Sequence, residues 1–203
     1  MLNNNRHQGI LLRTSSPYRK KIILFDYELG LVECINPSGG HRLVHGAFLY
    51  YTLTTWRNLY TIQDIELIAV PAEWVREDLL FLHHMLELSS NFLTLHNNAS
   101  EIFNFFINFY KPCNEKDLKL FKKLFICRFF SLLGVYPENS EDYEATFFRL
   151  ISGPIDSMLN AWRDDALLHK KVNEWLQGCV RMHPYADHLK TVNFLTKMDR
   201  HES

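Results

Sequence analysis

The sequence has no CxxC pair, no excess of basic over acidic residues and no apolar run of bilayer-spanning length, and each absence removes a class of protein. Cys34, Cys113, Cys127 and Cys179 are widely spaced, which fits reduced thiols in a cytoplasm better than a disulfide framework and is too scattered for a four-cysteine metal site. Twenty-two Lys and Arg stand against 23 Asp and Glu, so the formal net charge is -1 and any polyanion site must be local. The opening MLNNNRHQG lacks an apolar h-region and the apolar runs are short, which predicts a cytosolic protein that neither spans nor sits on a membrane. No phosphate-cradling glycine loop is present, because NPSGGH lacks both the lysine and the strand-to-helix setting. No internal repeat or low-complexity run interrupts the chain.

What is present is an ordinary globular composition, 47% hydrophobic over 203 residues, enough for one large domain or two small ones. The first seventy residues read as strands. GILLRT, KKIILFDY, LVECI, AFLYYTLTTW and YTIQDIELIAV are β-rich runs separated by turn chemistry at SSPY, ELG, NPSGGHR and RNL. Five short strands suit a small closed barrel of the OB type, with a five-stranded sheet of another topology as the alternative. From Pro71 the period changes to helical, with Val75, Leu79, Leu82, Leu86 and Phe92 at near-helical spacing in one segment. Asn98 with Glu101 has the form of a capping box for SEIFNFFINFY, which Pro112 ends. The next helix has Asn114 as N-cap, Leu118, Phe121, Phe125, Phe129 and Leu132 as its apolar stripe, and Gly134 as its stop. The segment from Val135 to Pro154 is irregular or mixed, and two or three further helices follow. The predicted class is therefore α+β, a five-stranded barrel over residues 1–71 followed by an all-helical domain over 72–203.

Charge is unevenly placed. No acidic residue precedes Asp26, whereas Arg6, Arg13, Arg19, Lys20 and Lys21 do, and Arg42 lies in the long loop beside His41 and His45. Lys and Arg held on turns at one barrel face can bind regularly spaced phosphates with little sequence preference, so Arg13, Arg19, Lys20, Lys21 and Arg42 are the expected DNA contacts. Tyr18, Tyr50, Tyr51 and Trp56 offer planes for stacking unpaired bases. The competing reading is that the lysines solvate a turn and that alternate members of FLYYTLTTW fill the core.

The order GILLRT, KKIILFDYELGLVECI, LYTIQDIELI, LHHMLELSSNFL and FFSLLGVYP resembles the RecO family of bacterial DNA repair proteins over most of the chain. The resemblance implies an N-terminal OB-fold and a helical C-terminal domain. It also implies a nonenzymatic role in recombinational repair, near the nucleoid: binding and annealing single- and double-stranded DNA and, with RecR, helping RecA replace single-strand-binding protein. It further implies that the helix after Asn114 helps form a pocket for the acidic C-terminal tail of single-strand-binding protein, with Lys119, Lys122 and Lys123 as partner-binding residues. The same lysines read by periodicity alone are the solvated face of an amphipathic helix. Two features depart from the family. LLGVYPENSEDYEATFFRLISGP holds no cysteine where many members carry a four-cysteine zinc site, so no metal or other cofactor is expected, and the loop after the third strand is poor in Lys and Arg. A protein-protein adaptor of the same fold with little DNA affinity is the alternative function.

Enzymatic readings are weaker. His83 and Glu87 share a helix face and admit a metal-dependent hydrolase, but a metal site needs further ligands. His183 and His188 are no better spaced, and Cys127, inside an aromatic helix, reads as core rather than nucleophile.

Overall fold

In the computed structural model the described residues are 6–14, 20–37, 43–57, 59–93, 99–110, 118–137, 145–153 and 166–181. The first five elements are strands: β1 Arg6–Thr14, β2 Lys21–Asp26, β3 Gly30–Ile35, β4 Phe48–Trp56 and β5 Leu59–Ala69. They form a closed barrel in the order β1-β2-β3-β5-β4, with β4 returning to β1. Every pairing is antiparallel except the short parallel pairing of β3 with β5, at Cys34↔Tyr60 and Ile35↔Thr61. Helices follow, so the class is α+β.

Period-2 alternation selects the barrel interior. Ile22 and Leu24, Val32 and Cys34, and Leu49 and Tyr51 point inward beside Leu11, Ala47 and Ile62. Each fully buried aliphatic or phenylalanine side chain contributes about 1.5–3 kcal/mol, so this small interior is the main stabilising term of the sheet. A bulge between Leu11 and Arg13 interrupts the β1–β2 pairing just past Ile10, the last β1 residue paired with β4. Gly30, at φ +73°, takes the left-handed conformation that begins β3 after the Tyr27–Leu29 turn.

The outside of the sheet is partly covered by α1 Ala72–Glu77, α2 Leu79–Phe92, α3 Ala99–Phe106 and a 3-10 turn at Ile107–Tyr110. Phe25 lies on the opposite face of β2 from Leu24 and meets Phe103 and Phe106 at ring separations of 5.4 and 5.9 Å. Phe48 meets Phe103 and Tyr110, and the Tyr110 hydroxyl donates to the Gly46 carbonyl at 2.8 Å. Trp74, Phe81 and Phe109 complete this aromatic layer. The change of period at Pro71 marks the end of the sheet, yet the first compact unit extends from Met1 to Pro112 and includes these helices. The segment with near-helical spacing forms two helices, because Asp78 leaves helical geometry at φ -157° and its side chain accepts the Phe81 N–H at 2.9 Å as the cap of α2.

The second unit runs from Cys113 to Ser203, and its described helices are α4 Leu118–Leu133, α5 Ala145–Ser152 and α6 Ala166–Arg181. α6 buries Val172, Trp175, Leu176 and Cys179 at helical spacing. The Trp175 ring meets Phe130 of α4 and Phe147 of α5. Within α4 every residue from Lys122 to Cys127, with Phe129 and Phe130, is buried. The expected one-sided stripe is thus corrected to a helix enclosed on all sides, because Leu120, Leu124, Ile126 and Phe130 between the phenylalanines are apolar too. Gly134, at φ +68°, ends it, with Val135 N–H donating to the Phe130 carbonyl at 3.0 Å. The segment expected to be irregular or mixed contains a helix, α5, at ATFFRLIS. The expected caps Asn98 and Asn114 and the expected helices at IDSMLNAWRDD and PYADHLKTVNFLTKM lie outside the described residues. Among the described residues no helix is long and apolar enough to cross a membrane.

Candidate functional site

Strand register brings the basic turns together. Lys21 pairs with Ile35, Ile35 with Thr61, and Trp56 with Leu59, so the start of β2, the end of β3 and the β4–β5 hairpin share one end of the barrel. Lys20 and Lys21 are exposed there, and the Lys20 carbonyl accepts the Asn36 N–H at 2.6 Å, fixing the β2 start against the loop after β3. Lys21 Nζ lies 2.6 Å from Glu33 Oε1, so one of the two expected cations is already paired across the strands. Arg13 is exposed and opposite Ile23, one register step from the same end. Arg19 and Arg42 lie outside the described residues.

Two exposed residues at this end went unread in the sequence. Arg57 follows β4 in a left-handed backbone at φ +47°, and Tyr60, 37% exposed, opens the β5 edge beside Cys34. A two-residue hairpin link of this kind favours Gly or Asn at its positive-φ positions, so a long cation there departs from what backbone energetics selects. The signal was RNL itself, a turn between two β-rich runs whose arginine had to be at the tip. Lys20, Lys21 and Arg57 with the Tyr60 ring make a cationic, partly aromatic rim that can hold phosphates and one stacked base.

The other aromatic candidates separate by burial. Tyr51 is core rather than a stacking platform: fully buried, its hydroxyl donates to Asp26 Oδ2 at 2.5 Å. Tyr50 is half-buried under the Arg6 guanidinium, whose carbon lies 4.4 Å from the ring centroid and which also pairs with Glu66. Tyr18 and the Trp56 side chain lie outside the described residues.

Asp26 is a buried centre that periodicity did not reveal. Its Oδ1 accepts the N–H groups of Glu28 and Leu29, each at 2.8 Å, while Oδ2 takes the Tyr51 hydroxyl and lies 3.2 Å from His7 Nδ1. Burial, reinforced by the Asp26 charge and hydrogen bond, holds the Tyr51 phenol well above its ordinary range. An Asp placed just before a turn was the available signal, since its side chain closes the turn on the backbone. These three hydrogen bonds, with His7 beside them, hold the turn between β2 and β3. The three described thiols are buried: burial first, then the Asp26 and Glu33 charges, push Cys34 up to about 12, and burial raises Cys127 and Cys179 as well, which disfavours the reactive thiolate.

The second predicted site is placed differently. Lys122 and Lys123 are 7% and 5% exposed, so neither stands on a solvated helix face. The Lys119 side chain lies outside the described residues. Of the enzymatic candidates, His83 is exposed and its ring meets His45 at 6.3 Å, while Glu87 is half-buried. Among the described residues no group of three His, Cys, Asp or Glu is arranged to hold a metal ion. His183 and His188 are outside those residues.

No family model matches the chain, and no curated protein matches it in sequence.

Proposed function

We propose that the barrel is of the OB type and binds single-stranded DNA, and that the protein is a nonenzymatic, RecO-like recombination mediator. The observation that supports this reading is the strand order β1-β2-β3-β5-β4, closed by the parallel β3–β5 pair, with Lys20, Lys21, Arg57 and Tyr60 at the end where the β1–β2 and β4–β5 links converge. Barrels of that order bind oligonucleotides beside those two links. On this reading the cations hold phosphates and Tyr60 stacks a base, so binding tolerates any sequence and falls with salt. Annealing, recombinase loading and contact with RecR rest on the resemblance of the sequence to the RecO family. Docking of an acidic tail at Lys122 and Lys123 is the weakest component, since side chains 7% and 5% exposed must first be uncovered.

The adaptor reading keeps one observation in its favour: Lys21 and Arg6 are engaged by Glu33 and Glu66, which lowers the positive potential of the barrel surface. The two are separated by anisotropy titration of a labelled oligothymidylate at low and moderate salt. A mediator binds saturably, with affinity falling as salt rises, and loses most of that affinity on replacing Lys20, Lys21 and Arg57 together by alanine. Salt-independent binding, or an unchanged isotherm for the triple variant, overturns the DNA site and leaves the adaptor.

A further inference from the structure

Large exposed apolar side chains are not spread evenly. Of eleven such residues among those described, six fall in the single stretch from Leu67 to Leu80: Leu67, Ile68, Val70, Val75, Leu79 and Leu80. Leu67 and Leu80 are 59% and 68% exposed. The stretch comprises the end of β5, the link through Pro71, the whole of α1 and the first residues of α2. Since α1 is six residues, about 9 Å at the helical rise, no more than that length separates the strand end from the start of α2. Within α1, Trp74 is buried while Val75 beside it is exposed. Exposed apolar residues scattered singly need no explanation, but a concentration of this kind marks an interaction site.

Charge identifies the occupant. The stretch carries Glu73, Glu77 and Asp78 against Arg76, a net of -2 from three acids and one base. Arg76 is already paired with Glu77 at 2.9 Å. An acidic border repels nucleic acid and anionic lipid, and it attracts Lys and Arg. We infer that Leu67–Leu80 is a docking surface for a segment of a partner protein that presents large apolar side chains flanked by lysine or arginine. This surface is independent of the barrel end proposed for DNA: it draws on apolar area and negative charge, where that end uses positive charge.

The test uses the full chain and two labelled probes, an amphipathic helical peptide of leucine and lysine and its twin with glutamate for lysine. Anisotropy is expected to show saturable binding of the lysine peptide at least tenfold tighter than of the glutamate peptide. Leu67→Ser with Leu80→Ser is expected to weaken it at least tenfold while leaving oligothymidylate binding unchanged, and Glu73→Lys with Glu77→Lys to reverse the preference. Circular dichroism confirms folding, which exposed positions tolerate. Equal binding of the two peptides, or lysine-peptide binding indifferent to the double serine variant, overturns the inference. Two further results overturn it by naming another occupant: a concentration-dependent dimer in sedimentation, or flotation with phosphatidylcholine vesicles, either one abolished by the serine variant.

Discussion

Single residues carry sharp consequences where a polar group is buried. Asp26 has no solvent to fall back on, so its hairpin depends on the Tyr51 hydroxyl. Tyr51→Phe should cost about 1–3 kcal/mol in urea denaturation, because the carboxylate stays buried with one donor fewer. Asp26→Asn should be milder than Asp26→Ala, since an amide oxygen can still accept from Glu28 and Leu29. His84 gives a pH signature. Its burial in α2 lowers the imidazole from 6.5 to about 4, opposed by Glu87. The unfolded chain therefore binds a proton between those values that the folded chain refuses. This contribution to stability is intact above pH 6.5 and is lost as pH falls toward 4, by up to about 1.4 kcal/mol per pH unit. Urea midpoints between pH 7 and 5 should fall less steeply in a folded His84→Gln variant; an unchanged slope would assign the dependence to other groups.

At the scale of elements, close approach and backbone conformation set the tolerances. A Cβ added at Gly178 would stand 2.5 Å from Pro137 Cβ, so α6 and the chain after α4 touch where glycine alone fits. Gly178→Ala is expected to destabilise by about 1–3 kcal/mol in thermal or chemical unfolding, although alanine is the better helix former by about 1 kcal/mol. Unchanged stability would mean that the Pro137 segment moves aside freely. The β4–β5 hairpin makes the opposite case. Arg57 occupies a left-handed backbone at some cost, and Arg57→Gly should be neutral or stabilising, by up to about 1 kcal/mol. If Arg57 binds phosphate, the same change weakens oligothymidylate several-fold, so stability and affinity separate in one variant. A loss of both would mean that the guanidinium holds the hairpin together.

At the scale of the molecule, charge is local rather than global. With a net charge of -1, the proposed binding of DNA rests on a few contacts, so on that proposal the dependence of log Kd on log salt should have a shallow slope, about one per phosphate contacted. Titrations at several salt concentrations read that number. A slope near zero would remove the phosphate site, and a steep slope would require cations beyond Lys20, Lys21 and Arg57.

The strands, the period change at Pro71 and the basic start of β2 were legible because they depend on local alternation and on which residues stand next to a turn. So was the stop of α4, which needs only a glycine that tolerates positive φ. What the sequence could not decide is anything fixed by neighbours distant along the chain. The lysines of α4 look solvated in a helical projection, yet Lys122 and Lys123 are left at 7% and 5% exposure, which tertiary packing and not the period of the helix decides. Tyr50 and Tyr51 are adjacent and chemically alike, yet one lies under Arg6 and the other inside the barrel on Asp26, because successive strand residues face opposite ways and closure decides which face is interior. The rim of Lys20, Lys21, Arg57 and Tyr60 likewise joins turns about forty residues apart, which only the parallel β3–β5 pairing brings to one end.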